Sequence, residues 1–218
     1  MRERRQSLLV VLILALAWAG TAQAQTATAP DPWKVLQGVR QSLVDSGPTA
    51  AAFTQSYIPA GFSSGDSESG RLALALPDCL RWDYQDPYPK GFLLCGGVAH
   101  SWSAQDKKGR RYRIDRKNEP GLDLLLLGVD DLKNRYRATS RLLDGGRIAV
   151  DLAPLAAKGR QVEELTDASF VVDPAAQRLA EVSYHDREGN LTRFVIKDYK
   201  GLPRQGQFSP PSGIRWED

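Results

Sequence analysis

Histidine and cysteine are scarce in this 218-residue chain, which holds two of each. His100 and His185 lie in separate segments, and neither stands in a metal-ligand spacing. No Gly-x-Ser-x-Gly elbow marks a nucleophile. The histidines therefore read as structural residues at or near the surface, and the chain as a protein without catalysis, metal or cofactor. Charge of one sign is lacking too. The formal net charge is +3, which gives no general case for nucleic-acid binding. Internal repeats and a second domain boundary are also missing.

Long hydrophobic runs are nearly absent. The one run, Leu8 through Gly20, is shorter than the roughly 20 residues of a membrane span. It follows Arg2, Arg4 and Arg5, and it precedes Ala22-Gln23-Ala24, a small-x-small cleavage pattern. The reading is a signal peptide over residues 1–24, cut before Gln25, with export to a periplasm; an uncleaved anchor is the alternative. Removing residues 1–24 takes away three Arg and one Glu, so the formal charge falls from +3 to +1. The remainder, 25–218, is of ordinary size for a single domain.

In an oxidising compartment Cys79 and Cys95 are expected to pair. A hairpin centred on Pro87 sets opposite one another residues whose numbers add to the same total, and Cys79 and Cys95 are such a pair. Directly opposed residues in an antiparallel ladder lie about 4.5 or 5.5 Å apart at Cα, inside the disulfide window of roughly 4.4–6.8 Å. The plainer alternative is two small buried thiols that never react.

What the chain does have is alternation. Asp31-Pro32 opens a helix, with Asp as cap and Pro in the first turn. Trp33, Leu36, Val39 and Leu43 then recur at helical spacing up to Asp45-Ser46-Gly47-Pro48. Thereafter the period is two. Phe53, Gln55 and Tyr57 alternate with polar residues, and so do Leu80, Trp82 and Tyr84; Leu72, Leu74 and Leu76 form a third set, Phe92 and Leu94 face the second across the hairpin, and Val98, His100 and Trp102 follow. Further strands are predicted at 136–142, 147–152, 168–172, 180–185 and 192–199, with Asp144-Gly145-Gly146 as a hairpin turn. Glu119 to Val129 interrupts them. Its leucines, Leu122 and Leu124 to Leu127, fit a buried strand or, after Pro120-Gly121 and before Asp130-Asp131, a short helix. That cluster is either a movable lid or a fixed core element. The predicted fold is mainly β: about 11 antiparallel strands in a highly curved sheet, an unclosed barrel lidded by helices.

Lys107, Lys108, Arg110, Arg111, Arg113, Arg116 and Lys117 form a basic hairpin, diluted by Asp106 and Asp115. It reads as a solvated edge that deters strand addition, or as a contact for an acidic partner or anionic headgroups.

The ordered set of Phe53-Thr54-Gln55, Gly70-Arg71-Leu72, Leu80-Arg81-Trp82-Asp83-Tyr84, Gly189-Asn190-Leu191-Thr192 and Phe208-Ser209-Pro210-Pro211-Ser212-Gly213-Ile214 resembles the outer-membrane lipoprotein carrier family, LolA. The likeness spans essentially the whole mature chain. It implies a half-open barrel that shields the acyl chains of lipid-modified proteins crossing the periplasm. Its implied partners are an inner-membrane lipoprotein-releasing ABC transporter and an outer-membrane lipoprotein acceptor, with the carrier working as a monomer. Cargo of another lipid or glycolipid, or a lipid- or protein-sensing role, is the alternative. Where the family has Lys-Arg-Pro, with its Arg tying the lid, this chain has Ala75-Leu76-Pro77. The family's Asp-Gly-Lys-Thr turn is Gly96-Gly97-Val98-Ala99 here, Trp102 falls one position late, and the cysteine pair is outside the pattern. The predicted acyl-binding set is Phe53, Tyr57, Leu72, Leu74, Leu76, Leu80, Trp82, Tyr84, Phe92, Leu94, Trp102, Leu122, Leu125 and Leu126.

Overall fold

The computed structural model describes residues 28–114, 128–155, 165–203 and 206–217. The proposed signal peptide and the Leu122–Leu127 cluster lie outside them. Helix α1 (Pro32–Asp45) starts where the side chain of Asp31 accepts from the Trp33 and Lys34 amides at 2.9 and 3.1 Å. One face of it, Leu36, Val39 and Leu43, is buried.

Twelve strands follow: β1 (Thr49–Ile58), β2 (Asp66–Ala75), β3 (Cys79–Asp86), β4 (Lys90–Cys95), β5 (Val98–Ser103), β6 (Lys108–Arg113), β7 (Tyr136–Leu142), β8 (Ile148–Pro154), β9 (Leu165–Asp173), β10 (Arg178–Asp186), β11 (Leu191–Gly201) and β12 (Arg215–Glu217). They form one sheet in the order β12-β6-β5-β4-β3-β2-β1-β11-β10-β9-β8-β7. Two antiparallel meanders, β1 to β6 and β7 to β11, are joined edge to edge by the β1–β11 pair. The end strands β12 and β7 do not meet, so the curved sheet stays open. Register breaks at Ala50/Ala52, Ser69/Gly70 and Leu179/Glu181 supply the local bending that lets so long a sheet curl.

Two features depart from the sequence prediction. There is a twelfth strand, Arg215–Glu217, and it pairs parallel to β6; three residues after a Pro/Gly-rich stretch carry too little alternation to show themselves. Asp130 and Asp131, read as ending a helix, lie in the first turn of α2 (Val129–Lys133). Carboxylates there favour a helix start, because unpaired N–H groups point at them.

The core lies on the concave face. Strict alternation places Leu72 and Leu74 of β2, Leu80 of β3, Leu94 of β4, Val150 and Leu152 of β8, and Phe170 and Val172 of β9 in one cluster with the buried face of α1 and with Val129 and Leu132 of α2. Helix α1 lies across the concavity, touching β2 of the first meander and β7, β8 and β10 of the second. Its ends are held by polar contacts. Ser140 Oγ donates to the Pro30 carbonyl at one end. Arg178 donates to Ser42 Oγ and, at 2.7 Å, to Ser46 Oγ at the other.

Candidate functional site

The concave face has a dry centre and a polar rim. At the centre, Phe53, Leu72, Leu74, Leu80 and Leu94 are all buried, with Leu80 and Leu94 at 0% exposure. Leu76, Trp82, Tyr84 and Phe92 are partly buried and pack against that cluster. Trp82 and Phe92 face each other at 6.2 Å between ring centroids; Phe53 meets Tyr84 edge-on at 5.0 Å and Phe194 at 6.1 Å. Tyr57 is on the same face by alternation, but it sits at the strand's end and is exposed.

Toward the rim the chemistry changes. The Tyr84 hydroxyl donates to Gln55 Oε1 at 2.6 Å. Lys90 Nζ lies 4.7 Å from the Tyr84 ring centre and 2.8 Å from Glu68 Oε1. Burial, followed by the neighbouring Glu68 and Tyr184, pushes the Tyr84 hydroxyl pKa up, so it remains a protonated donor. Of these rim groups Tyr84 and, within Phe53-Thr54-Gln55, Gln55 stand out in the sequence, though nothing there pairs them. Glu68 looks like an ordinary strand polar residue until the register sets it opposite Gln55.

Trp102 is a correction. Pairing of Ala99 with Leu94 and of Trp102 with Gly91 puts Ala99, Ser101 and Ser103 on the concave face and Val98, His100 and Trp102 on the convex one. Alternation reveals two faces but does not say which is inward, and in β5 the more apolar phase points outward. On the convex face Trp102 has a different task. Its indole lies over Gly91, where a Cβ would collide with the ring. Arg81 stacks on it at 5.2 Å, and Trp216 meets it at 6.3 Å. Gly109 in turn leaves room for Trp216. Arg81 also grips Asp83 through two bonds, 2.6 and 2.9 Å, and donates to the Ser209 carbonyl at 2.8 Å. Together these groups fasten the C-terminal segment across the outside of β3–β6. The same face, at the opposite end of the strands, carries Cys79 and Cys95, directly paired in register and bonded to each other, 4.2 Å apart at Cα.

The second meander also contributes inner surface. Val150, Leu152, Ala168, Phe170, Val182 and Ile196 are all buried there. Their strands were legible, but no residue on them entered the predicted binding set. Between α1, α2 and the sheet lies a space of about 50 Å³, lined by Leu36, Val39, Arg40, Leu43, Leu74 and Leu76 among others. Aliphatic side chains of α1, α2 and the sheet face one another across it. Among the described residues of this lining Arg40 is the one cation. Burial pulls its pKa down, and nearby Asp131 of α2 partly offsets the effect. Among the described residues no group of three or more His, Cys, Asp or Glu is placed to hold a metal. His185 Nδ1 pairs with Asp167 at 2.9 Å on the exposed convex side.

An open, one-sided β half-barrel with helices lying in its concavity is thus the class of protein that this fold defines. The chain is 26% identical over 171 residues to an outer-membrane lipoprotein carrier protein of Chromobacterium violaceum, covering 76% of this chain and 78% of that one. No protein-family model matches. Among solved structures, an uncharacterized conserved protein from Thermus thermophilus shares the fold at a TM-score of 0.54 and 11% identity, over 84% of this chain and 96% of that one. A LolA superfamily protein from Nitrosomonas europaea superposes more loosely, at a TM-score of 0.44 and 8% identity, over 84% of this chain and 99% of its own. In sequence, then, the chain is similar to an outer-membrane lipoprotein carrier protein.

Proposed function

We propose that this protein is a periplasmic carrier that shelters the acyl chains of lipid-modified proteins on its concave face. It would take them from an inner-membrane releasing ABC transporter and hand them to an outer-membrane acceptor. The observation that carries the reading is the continuous apolar concave surface, built by both meanders and covered by a helix whose own buried face is aliphatic. Likeness to the Chromobacterium violaceum carrier supports the same reading. The physics suits it: sheltering an acyl chain is worth about 0.8 kcal/mol per CH₂, so a multiply acylated protein does not leave a membrane without a compensating apolar surface. No chemistry is required of the carrier. In this reading loading moves α1, whose aliphatic face now covers the sheet, off the concave surface.

Leu76 favours a second cargo class, a free or glycosylated lipid. It lines the covered space where the family's arginine latch would stand, and so the control of release differs. One experiment addresses both. The protein is isolated from the periplasm without detergent, and whatever co-purifies is identified by mass spectrometry. In parallel, purified protein is mixed with membranes carrying a triacylated lipoprotein. A soluble one-to-one complex with the lipoprotein is expected. A co-purifying lipid with no lipoprotein complex would move the assignment to the second class, and the absence of both would overturn the carrier reading.

A further inference from the structure

The basic strand β6 divides by alternation into two faces. Ser101 pairs with Arg110 and Ser103 with Lys108, so these four side chains belong to the concave face. Arg111 and Arg113 go to the convex one, opposite His100 and Val98. On the concave side, at the polar rim, lies an open groove of about 540 Å³ whose lining includes Phe92, Ser101, Ser103, Lys108, Arg110 and Glu217. Its floor, Phe92, continues through Trp82 into the apolar centre. Its wall is hydroxyl and cation: two serine–cation pairs, side by side, two residues apart along each strand. At about 3.4 Å of rise per residue, the pairs stand roughly 7 Å apart, a spacing that one tetrahedral oxyanion can bridge with long side chains.

The charges in this groove are unequal in availability. Lys90 is committed to Glu68. Glu217, on the outermost strand, is the register neighbour of Arg110, and Arg215 that of Lys108. Arg215 stands 4.0 Å from Glu217, so among the described residues the rim holds three cations for one carboxylate beside the committed Lys90–Glu68 pair. Lys108 and Arg110 are exposed and make no ion pair among the described residues. Two free cations with two hydroxyls at the mouth of an apolar trough form an amphipathic site.

We propose that this groove binds the phosphate of an anionic lipid headgroup while the attached acyl chain runs along Phe92 and Trp82 toward the covered centre. The inference rests on the carrier reading with its second cargo class, a free lipid, and narrows that class to a phosphate-bearing acyl amphiphile. Such a ligand would be held at both ends, with apolar burial supplying affinity and the cations supplying choice among headgroups.

The test compares two fluorescent probes with the same acyl chain, a lysophosphatidic acid and the matching monoacylglycerol. Exposed charge-assisted contacts are weak, so at low salt the phosphate probe should bind about fivefold to tenfold more tightly, and the preference should fade as salt screens it. The Lys108→Gln/Arg110→Gln variant should lose the preference yet bind the monoacylglycerol as the parent does, which also shows that it is folded. Lys197→Gln/Lys200→Gln, with the same change in net charge on exposed β11 positions, should keep it. Equal affinity of the parent for both probes would overturn the headgroup site and leave the carrier reading standing. No binding of either probe would overturn both. Competition by glycerol phosphate as strong as by the acylated probe would mean a free-phosphate site and refute the lipid assignment.

Discussion

Leu36→Ala should strengthen acyl binding, the reverse of what truncating a binding-site residue ordinarily does. Leu36, Val39 and Leu43 are 7%, 4% and 4% exposed where α1 meets the sheet. Exposing a buried aliphatic side chain costs about 2 kcal/mol, so lifting α1 costs about 6 kcal/mol from these three. A sixteen-carbon chain returns about 12 kcal/mol at 0.8 kcal/mol per CH₂. The remainder, about 6 kcal/mol, corresponds to a dissociation constant in the tens of micromolar: tight enough to carry several chains at once, weak enough to release them. Apparent affinity is scaled down by the fraction of molecules already uncovered. Truncating Leu36 removes about 2–3 kcal/mol from the covered state alone, so the apparent dissociation constant for a neutral acyl probe should fall by about thirtyfold to 160-fold. Fluorescence titration with a labelled monoacylglycerol reads this directly, and circular dichroism checks that the sheet persists. An affinity that is unchanged, or reduced in step with the lost methylenes, would mean that chains do not bind beneath α1.

Three further outcomes are expected. Leu76→Arg replaces apolar lining of the covered space by a cation, so it should weaken the hold on acyl chains and speed transfer of loaded cargo to acceptor membranes; equal transfer rates would remove Leu76 from the release step. Replacing Cys79 and Cys95 by Ser should lower stability to urea by about 3 kcal/mol in the chain-entropy account of a loop of this size, and thiol titration of the denatured, unreduced parent should find no free cysteine. For His100, burial first and Arg111 second pull the pKa down, and its Nδ1 has no hydrogen-bond partner among the described residues. The unfolded chain then binds more protons than the folded one between the depressed value and about 6.5, so stability rises with pH through that window and falls as pH drops; His100→Gln should flatten that part of the urea-midpoint profile, and an identical slope in the variant would put the acid sensitivity elsewhere.

How much of this was legible in the sequence follows from what alternation encodes. Period two gave the strands, and the hairpin centred on Pro87 gave the register that sets Tyr84 opposite Lys90 and Cys79 opposite Cys95. The cap at Asp31 and the spacing of Leu36, Val39 and Leu43 gave α1. What alternation cannot encode is which phase faces in. For β3 the choice was settled by polarity, since Arg81 and Asp83 oppose Leu80 and Trp82. For β5 the more apolar phase is the convex one, because Trp102 there packs over Gly91 and against Trp216 and receives Arg81. The β1–β11 junction was equally invisible: it joins residues about 140 apart in sequence, such as Phe53 and Ile196, and no local pattern announces such a contact. For that reason the second meander's share of the concave surface went unassigned.

The two faces of the sheet set opposing requirements. A carrier surface must yield, and the concave side is fitted for it: aliphatic contacts are non-directional and lose free energy gradually as a helix slides or lifts. The convex side of β3–β6 is fastened by directional contacts, namely the paired bonds of Arg81 to Asp83, its stacking on Trp102, its bond to the Ser209 carbonyl, and the Cys79–Cys95 bridge. Directional contacts hold one geometry and resist shear. With its outside pinned, the first meander keeps its curvature when the helix leaves, so uncovering need not spread into unfolding of the sheet. On the proposed function the Leu80 and Leu94 floor would then present a shaped trough to an incoming chain, and the part of the C-terminal segment that crosses the convex face at Ser209 and Trp216 would act on binding through the stiffness it lends to β3–β6.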